Sequence, residues 1–188
     1  MEIWTILAPG PSLRRLTLDR FNPPGPVLAL NNAALSPLPK DFWMMQDPCH
    51  RWEHVWSRMD QGLRRYGPVI WCKGGQAPKW REKGFRAWPH PDSEADFRSR
   101  FRVPDIKFTW TSLTITSAIC RAIGEGAGRL EIWGCDMAGS EYAFGKDNRS
   151  RPPTSWGARW KDEVGTFNRA KDAWEAEGIP ITLRFPEP

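Results

Sequence analysis

Six short stretches of this chain are apolar almost without interruption: 3–8, 27–31, 42–47, 69–72, 130–134 and 179–183. A strand with one wet face alternates apolar and polar residues. A strand with no alternation is covered on both faces, the usual condition of a parallel sheet. The stretches between them carry helical spacing, which predicts helices over 12–20, 50–65, 111–123 and 158–177. In the last, Trp160, Val164, Phe167, Ala170 and Trp174 share one helical face. The pattern predicts an α/β fold: a single Rossmann-like domain over 1–188, with a mostly parallel sheet and helices on both faces. Two segments rich in Pro, Gly, Arg and Lys, 73–104 and 140–157, read as loop excursions over the strand ends, each a lid or an acceptor surface.

Composition narrows the class. Hydrophobic residues make up 40% and charged residues 26% of the 188 residues, the balance of a folded chain. No apolar run approaches the roughly 20 residues of a membrane span, and the N-terminus has no secretion signal, so the expected location is cytoplasmic. Cys49, Cys72, Cys120 and Cys135 form no CxxC pair and read as reduced structural thiols, not as a zinc site. The net charge of +5 suits an anionic ligand such as a nucleotide, or a nucleic-acid or charged-glycan acceptor. Of the 12 tryptophans, Trp4, Trp43, Trp71, Trp133 and Trp174 read as core. Trp80, Trp156 and Trp160 lie among Arg and Lys and are candidates for stacking on a sugar or base. Arg81, Lys83, Arg86, Arg98, Arg100 and Arg102 with Trp80 and Trp88 form one basic, aromatic-interleaved patch. Lys146, Arg149, Arg151, Arg159 and Lys161 with Trp156 and Trp160 form another. A solvated charged face is the plainer reading of both. His90, between prolines, reads as a loop residue without a role.

Ligands of parallel α/β sheets bind outside the carboxyl ends of the strands, so those ends hold the candidate chemistry. The first gives Ile-Leu-Ala-Pro-Gly-Pro-Ser-Leu at 6–13: a strand, a turn and a helix start. Gly10 lets the backbone approach whatever lies above the turn and Ser12 reads as the helix N-cap, so that the Gly10-Pro11-Ser12 turn suits a phosphate. The second strand ends in Asn31-Asn32, the third in Asp47, and the late strand in Gly134-Cys135-Asp136. Asn and Asp also serve as ordinary turn and cap residues. Their recurrence at three strand ends points to a clustered site.

In order and spacing, Ala8-Pro9-Gly10-Pro11-Ser12-Leu13, Asn31, Asp47-Pro48, Thr111-Ser112, Gly134-Cys135-Asp136 and Glu141-Tyr142-Ala143-Phe144 resemble the bacterial sialyltransferases of glycosyltransferase family 42. The Pro-Ser turn and the Gly-x-Asp motif also recur in a wider superfamily of MptE-like pterin diphosphokinases and phage-encoded proteins. The compact length suits a phage-type member that lacks the family's C-terminal membrane-associating extension. The resemblance implies a metal-free enzyme whose donor is CMP-linked sialic acid. By that resemblance the Gly10–Ser12 turn, Asn31 and the Thr111-Ser112 helix start surround the nucleotide. Asn31 contacts ribose or phosphate, Thr111 and Ser112 hold the donor, and Tyr142 donates its phenol to the departing phosphate. Family members form tetramers, which makes self-association a property to test.

The chain departs from the family in several places. Pro9 replaces an Asn, Leu113 a Gly, Asp47 an Asn and Ala138 a Tyr. The family's catalytic histidine has no counterpart in 154–160. The general base then falls to His50, Asp47 or Asp136, although His50 and His54 also read as solvated helix residues. Asp47 and Asp136 together suit a different chemistry. Two carboxylates at neighbouring strand ends can hold Mg²⁺ against nucleotide phosphates, as phosphoryl or diphosphoryl transfer requires. The sequence thus favours a glycosyltransferase-like enzyme taking a nucleotide-sugar donor and an anionic glycan acceptor, nucleic acid being a lesser one. A Mg²⁺-dependent phospho- or diphosphotransferase and a non-catalytic nucleotide-binding module are its alternatives.

Overall fold

The computed structural model describes residues 1–46, 62–91, 93–106, 109–111, 113–137 and 154–186, with backbone alone for 154–160. Its strands are β1 (Glu2–Leu7), β2 (Val27–Leu30), β3 (Phe42–Met45), β4 (Val69–Lys73), β5 (Ala87–His90), β6 (Ala127–Trp133) and β7 (Ile181–Arg184). Its helices are α1 (Ala77–Glu82), α2 (Glu94–Arg100), α3 (Thr114–Gly124) and α4 (Thr154–Ala176). Three 3-10 turns (Pro11–Arg15, Asn31–Leu35, Gly74–Gln76) and a helical stretch at 62–66 complete the described elements. The strands form one sheet in the order β5-β4-β3-β2-β1-β6-β7, and every neighbouring pair is parallel.

The missing alternation has its expected cause, because successive strand residues enter two different cores. Trp4, Ile6, Leu28, Leu30, Met44 and Trp71 face a core closed by Phe97 of α2, Ile115 and Ile119 of α3, and Phe167 and Trp174 of α4. Leu7, Val27, Ala29, Trp43, Met45 and Ile70 face the other, closed by Leu13, Leu16, Ala33, Leu63 and Trp80. Each fully buried aliphatic or Phe side chain contributes about 1.5–3 kcal/mol of transfer free energy. The first core also holds a ring stack across the strands. Trp4 lies 5.1 Å from Phe42, Phe42 lies 4.4 Å from Trp71, and the Arg121 guanidinium covers Trp71 at 4.5 Å.

Several expectations are corrected. The segment 73–104 is not a loop excursion: it supplies α1, the edge strand β5 and α2. Pro89 hid β5, since proline reads against a strand. An edge strand accepts it because one side of the ladder needs no donor. α2 also had a signal, the N-cap Ser93, whose Oγ accepts from the Asp96 N–H at 3.2 Å. The helix predicted over 12–20 is only the 3-10 turn Pro11–Arg15. α3 begins at Thr114, three residues after the expected start. Trp80, a stacking candidate, is fully buried against Trp43 at 5.1 Å. His90 ends β5 and is 2% exposed.

Candidate functional site

The chain runs outward from β1 through β2 to β5, then returns to β6 on the other side of β1, so the fold's switch point lies between β1 and β6. The loops leaving these strands are locked together there. Ala8 N–H donates to Trp133 O at 2.8 Å and Gly10 N–H to Gly134 O at 2.7 Å. Asp136 Oδ2 accepts from the Ser12 backbone N–H at 3.0 Å and from Ser12 Oγ at 2.8 Å. A Cβ on Gly10 would sit 2.1 Å from Asp136 Oδ2 and 2.2 Å from Gly134 O. One on Gly134 would sit 2.4 Å from Ala8 O, and Gly134 also has φ +72°. The two glycines therefore make room for each other's loops.

This geometry revises three roles read from sequence. What approaches Gly10 in the structure is the β6 loop. Ser12 is not an N-cap: Gly10 holds that position, and Ser12 Oγ donates to Asp136. Asp136, read as a base or metal ligand, has one carboxylate oxygen engaged in holding the turn. Two ionic hydrogen bonds of this kind contribute about 1.5–3 kcal/mol each. Pro11 stands at the start of the 3-10 turn, a place that suits a residue without an N–H.

Beside the lock, the carboxyl end of β2 faces the start of α3. Asn31 has a left-handed backbone, φ 46°, a conformation that is uncommon for a residue with a Cβ. Its main-chain carbonyl accepts from Trp43 Nε1 at 3.0 Å, which holds it in place. Its Nδ2 donates to Thr114 Oγ1 at 3.4 Å, while Oδ1 is buried without a hydrogen-bond partner among the described residues. An unpaired buried carbonyl costs about 1–3 kcal/mol. Leu113, at the N-cap of α3, offers no side chain to the helix's free N–H groups. Met137, immediately after Asp136, is the other non-glycine residue at positive φ among those described, at 45°. Both strained residues thus lie at the carboxyl edge, the kind of clustering that marks ligand sites.

Gln46, after β3, joins the same edge: its Nε2 donates to Ser117 Oγ at 2.6 Å, and Ser117 Oγ donates to Trp110 O at 3.2 Å. Thr116 Oγ1 donates within reach of Trp110 O and Leu113 O, each at 2.8 Å. Gln46, Thr114, Thr116 and Ser117 were missed in the sequence. Their signal was a run of hydroxyls in the first turns of an otherwise apolar helix. Asn32 lies inside the 3-10 turn after β2, and Thr111 lies before α3, partly buried. Asp47, His50, His54, Ser112, Ala138 and Tyr142, together with Cys49 and the side chains of Trp156 and Trp160, lie outside the described residues.

Elsewhere the chemistry is subdued. Cys72, Cys120 and Cys135 are buried and in no disulfide among the described residues. Burial raises the Cys120 thiol, and burial with the charges of Asp136 and Glu163 pushes Cys135 up to about 12, so neither is a thiolate nucleophile at neutral pH. Among the described residues no three His, Cys, Asp or Glu side chains are grouped to hold a metal ion, and no helix is long and apolar enough to cross a membrane. The first basic patch is largely self-paired. Arg98 meets Glu94 at 2.9 Å, Arg100 meets Asp96 at 2.7 Å, and Arg102 meets Glu177. Arg81 and Arg86 donate to backbone carbonyls.

Fold and site together define a seven-stranded parallel α/β protein that carries two left-handed non-glycine residues, Asn31 and Met137, at the carboxyl edge of its sheet, the first with a buried, unpaired amide oxygen among the described residues. No family model and no curated protein matches the sequence. Among solved structures, the chain is similar to the sialyltransferase CstII from Campylobacter jejuni in complex with a substrate analogue, CMP-3FNeuAc. That match has 15% identity over 97% of this chain and 86% of the other, with a TM-score of 0.51. It is also similar to the sialyltransferase CST-II in complex with trisaccharide acceptor and CMP (15% identity, 95% and 86% coverage, TM-score 0.49). A looser likeness joins it to the MAf glycosyltransferase from Magnetospirillum magneticum AMB-1 (15% identity, 74% and 23% coverage, TM-score 0.46). The first of these likenesses shows a shared fold.

Proposed function

We propose that this chain is a glycosyltransferase of the sialyltransferase type, which binds a nucleotide-activated sugar, CMP-linked by preference, between Asn31 and the start of α3. The observation that carries this reading is the Asn31 carbonyl. Oδ1 is buried and unpaired among the described residues, in a residue of left-handed backbone, at the carboxyl edge of the sheet. A ligand donor meeting Oδ1 would offset that cost. Because Nδ2 is turned to Thr114, Asn31 is assigned a ribose hydroxyl or a base amine in place of a phosphate oxygen. The phosphate then falls to the uncapped first turn of α3. The shared fold with CstII, described in complex with the substrate analogue CMP-3FNeuAc, supports the donor class.

In the transfer step, the acceptor hydroxyl oxygen attacks the anomeric carbon as the bond from that carbon to the phosphate oxygen breaks. Tyr142 donates its phenolic proton to the departing phosphate, and His50 or Asp47 takes the proton of the acceptor. Asp136 Oδ2 holds the turn through Ser12, which favours a positioning role for this carboxylate. The acceptor is assigned as a glycan, since among the described residues Arg98, Arg100 and Arg102 of the first basic patch are paired within the protein.

A thermal-shift panel of CMP, CDP, UDP, GDP, ADP and ATP, each with EDTA or Mg²⁺, tests the reading. CMP at a hundredfold excess over its Kd should stabilise the fold by about 2.7 kcal/mol, or roughly 5–10 °C in Tm, in EDTA. Stabilisation by ATP alone, and only with Mg²⁺, would overturn it in favour of phosphoryl transfer.

A further inference from the structure

His90 closes β5 at the edge of the sheet, with its ring buried between the side chains that hold α2 in place. It meets Phe97 edge-on at 5.5 Å and lies roughly parallel to Phe101 at 6.0 Å. Phe101 also lies under the Arg121 guanidinium at 5.1 Å and against α3, where a Cβ on Gly124 would come within 2.8 Å of its ring. Phe97 and Phe101 are therefore packed around an imidazole, and among the described residues neither ring nitrogen of His90 has a hydrogen-bond partner.

The charged groups facing the ring come from three elements: Lys73 at the end of β4, Asp96 and Arg100 on α2, and Arg121 on α3. Asp96, the acid among them, is paired with Arg100 at 2.7 Å. A protonated His90 would bring two N–H donors without acceptors into a buried cluster already holding cations. We propose that His90 is an acid-sensitive latch, whose neutral ring pins α2 to the sheet edge and whose protonation expels the ring and frees α2 with Phe101.

Burial, and then the charge of Arg121, lowers the His90 pKa from 6.5 to about 4 in the closed state. The open state binds a proton more readily, so opening is promoted as pH falls from 6.5 towards 4 and levels off below that. Between pH 7 and pH 5 the open population should rise about twentyfold for closed and free values of about 4 and 6.5. Hydrogen–deuterium exchange of the α2 amides at the two pH values, corrected for intrinsic exchange, reads this directly. His90→Phe keeps an aromatic ring without titration, and His90→Gln serves the same purpose at smaller volume if the larger ring does not fit. The latch predicts an acid-driven rise confined to α2 and its flanks, absent from either variant that folds. A rise shared equally by β1, an equal rise in the variants, or no rise at all would overturn it.

Discussion

Replacing Gly10 by Ala tests the loop lock most severely. Gly10 has φ −71° and ψ 157°, a conformation open to any residue, so the substitution imposes no backbone strain of its own. Its cost is steric. The new Cβ would stand 2.1 Å from Asp136 Oδ2, 2.2 Å from Gly134 O and 2.9 Å from Asp136 N, two of them backbone atoms that cannot rotate away. Overpacking of this kind costs about 1–3 kcal/mol, and displacing the Asp136 carboxylate adds part of the Ser12 interactions, for a total of about 3–5 kcal/mol. For a chain of 188 residues that is a fall in Tm of roughly 6–20 °C. Gly75→Ala is the control, since a Cβ there meets nothing within 4 Å and should leave stability unchanged or raise it by about 0.4–1 kcal/mol. Urea unfolding of both variants measures the difference. If Gly10→Ala unfolds within about 0.5 kcal/mol of Gly75→Ala, the two loops are not locked as described.

Asp136→Asn keeps an acceptor for the Ser12 N–H but loses its charge, so donor turnover should fall less than about tenfold. A loss of 10²–10⁴-fold in kcat, about the contribution of a general base, would make Asp136 catalytic instead. Asn31→Gly should leave stability unchanged or raise it by about 1 kcal/mol, because glycine accepts φ 46° freely, while calorimetry finds CMP bound at least about tenfold more weakly. Lys40 is buried, with its Nζ donating to Ser36 O at 2.9 Å, and burial lowers its pKa to about 8 from 10.5. The unfolded chain then holds this proton more tightly, so Lys40 makes stability rise as pH climbs from 8 to 10.5. Lys40→Met should abolish that rise and gain about 1–3 kcal/mol at pH 7, as read by denaturation across pH.

The parallel sheet was legible because both faces of its strands are buried, which leaves continuous apolar runs such as 27–30. Its edge was less so. Pro89 and the exposed Trp88 made β5 resemble a loop, and only its pairing with β4 supplies the missing order. The carboxyl-edge site was legible as a set of strand ends, since topology alone brings those ends together. What each residue does there was not. Gly10 and Asp136 look like ligand groups in a linear reading. Their actual partners, Gly134 and Ser12, are more than a hundred residues away in the chain. Trp80 misled for a related reason: its Lys and Arg neighbours point outward from a helix of one and a half turns, whose inner face carries the tryptophan into the core.

The measurement that bears most directly on the whole account is release of CMP from CMP-linked sialic acid in EDTA, with Asn31→Gly alongside the unaltered protein. The account predicts metal-independent release by the unaltered protein and a marked loss in the folded variant. No release from this donor, or release that requires Mg²⁺ and is indifferent to Asn31, would contradict it.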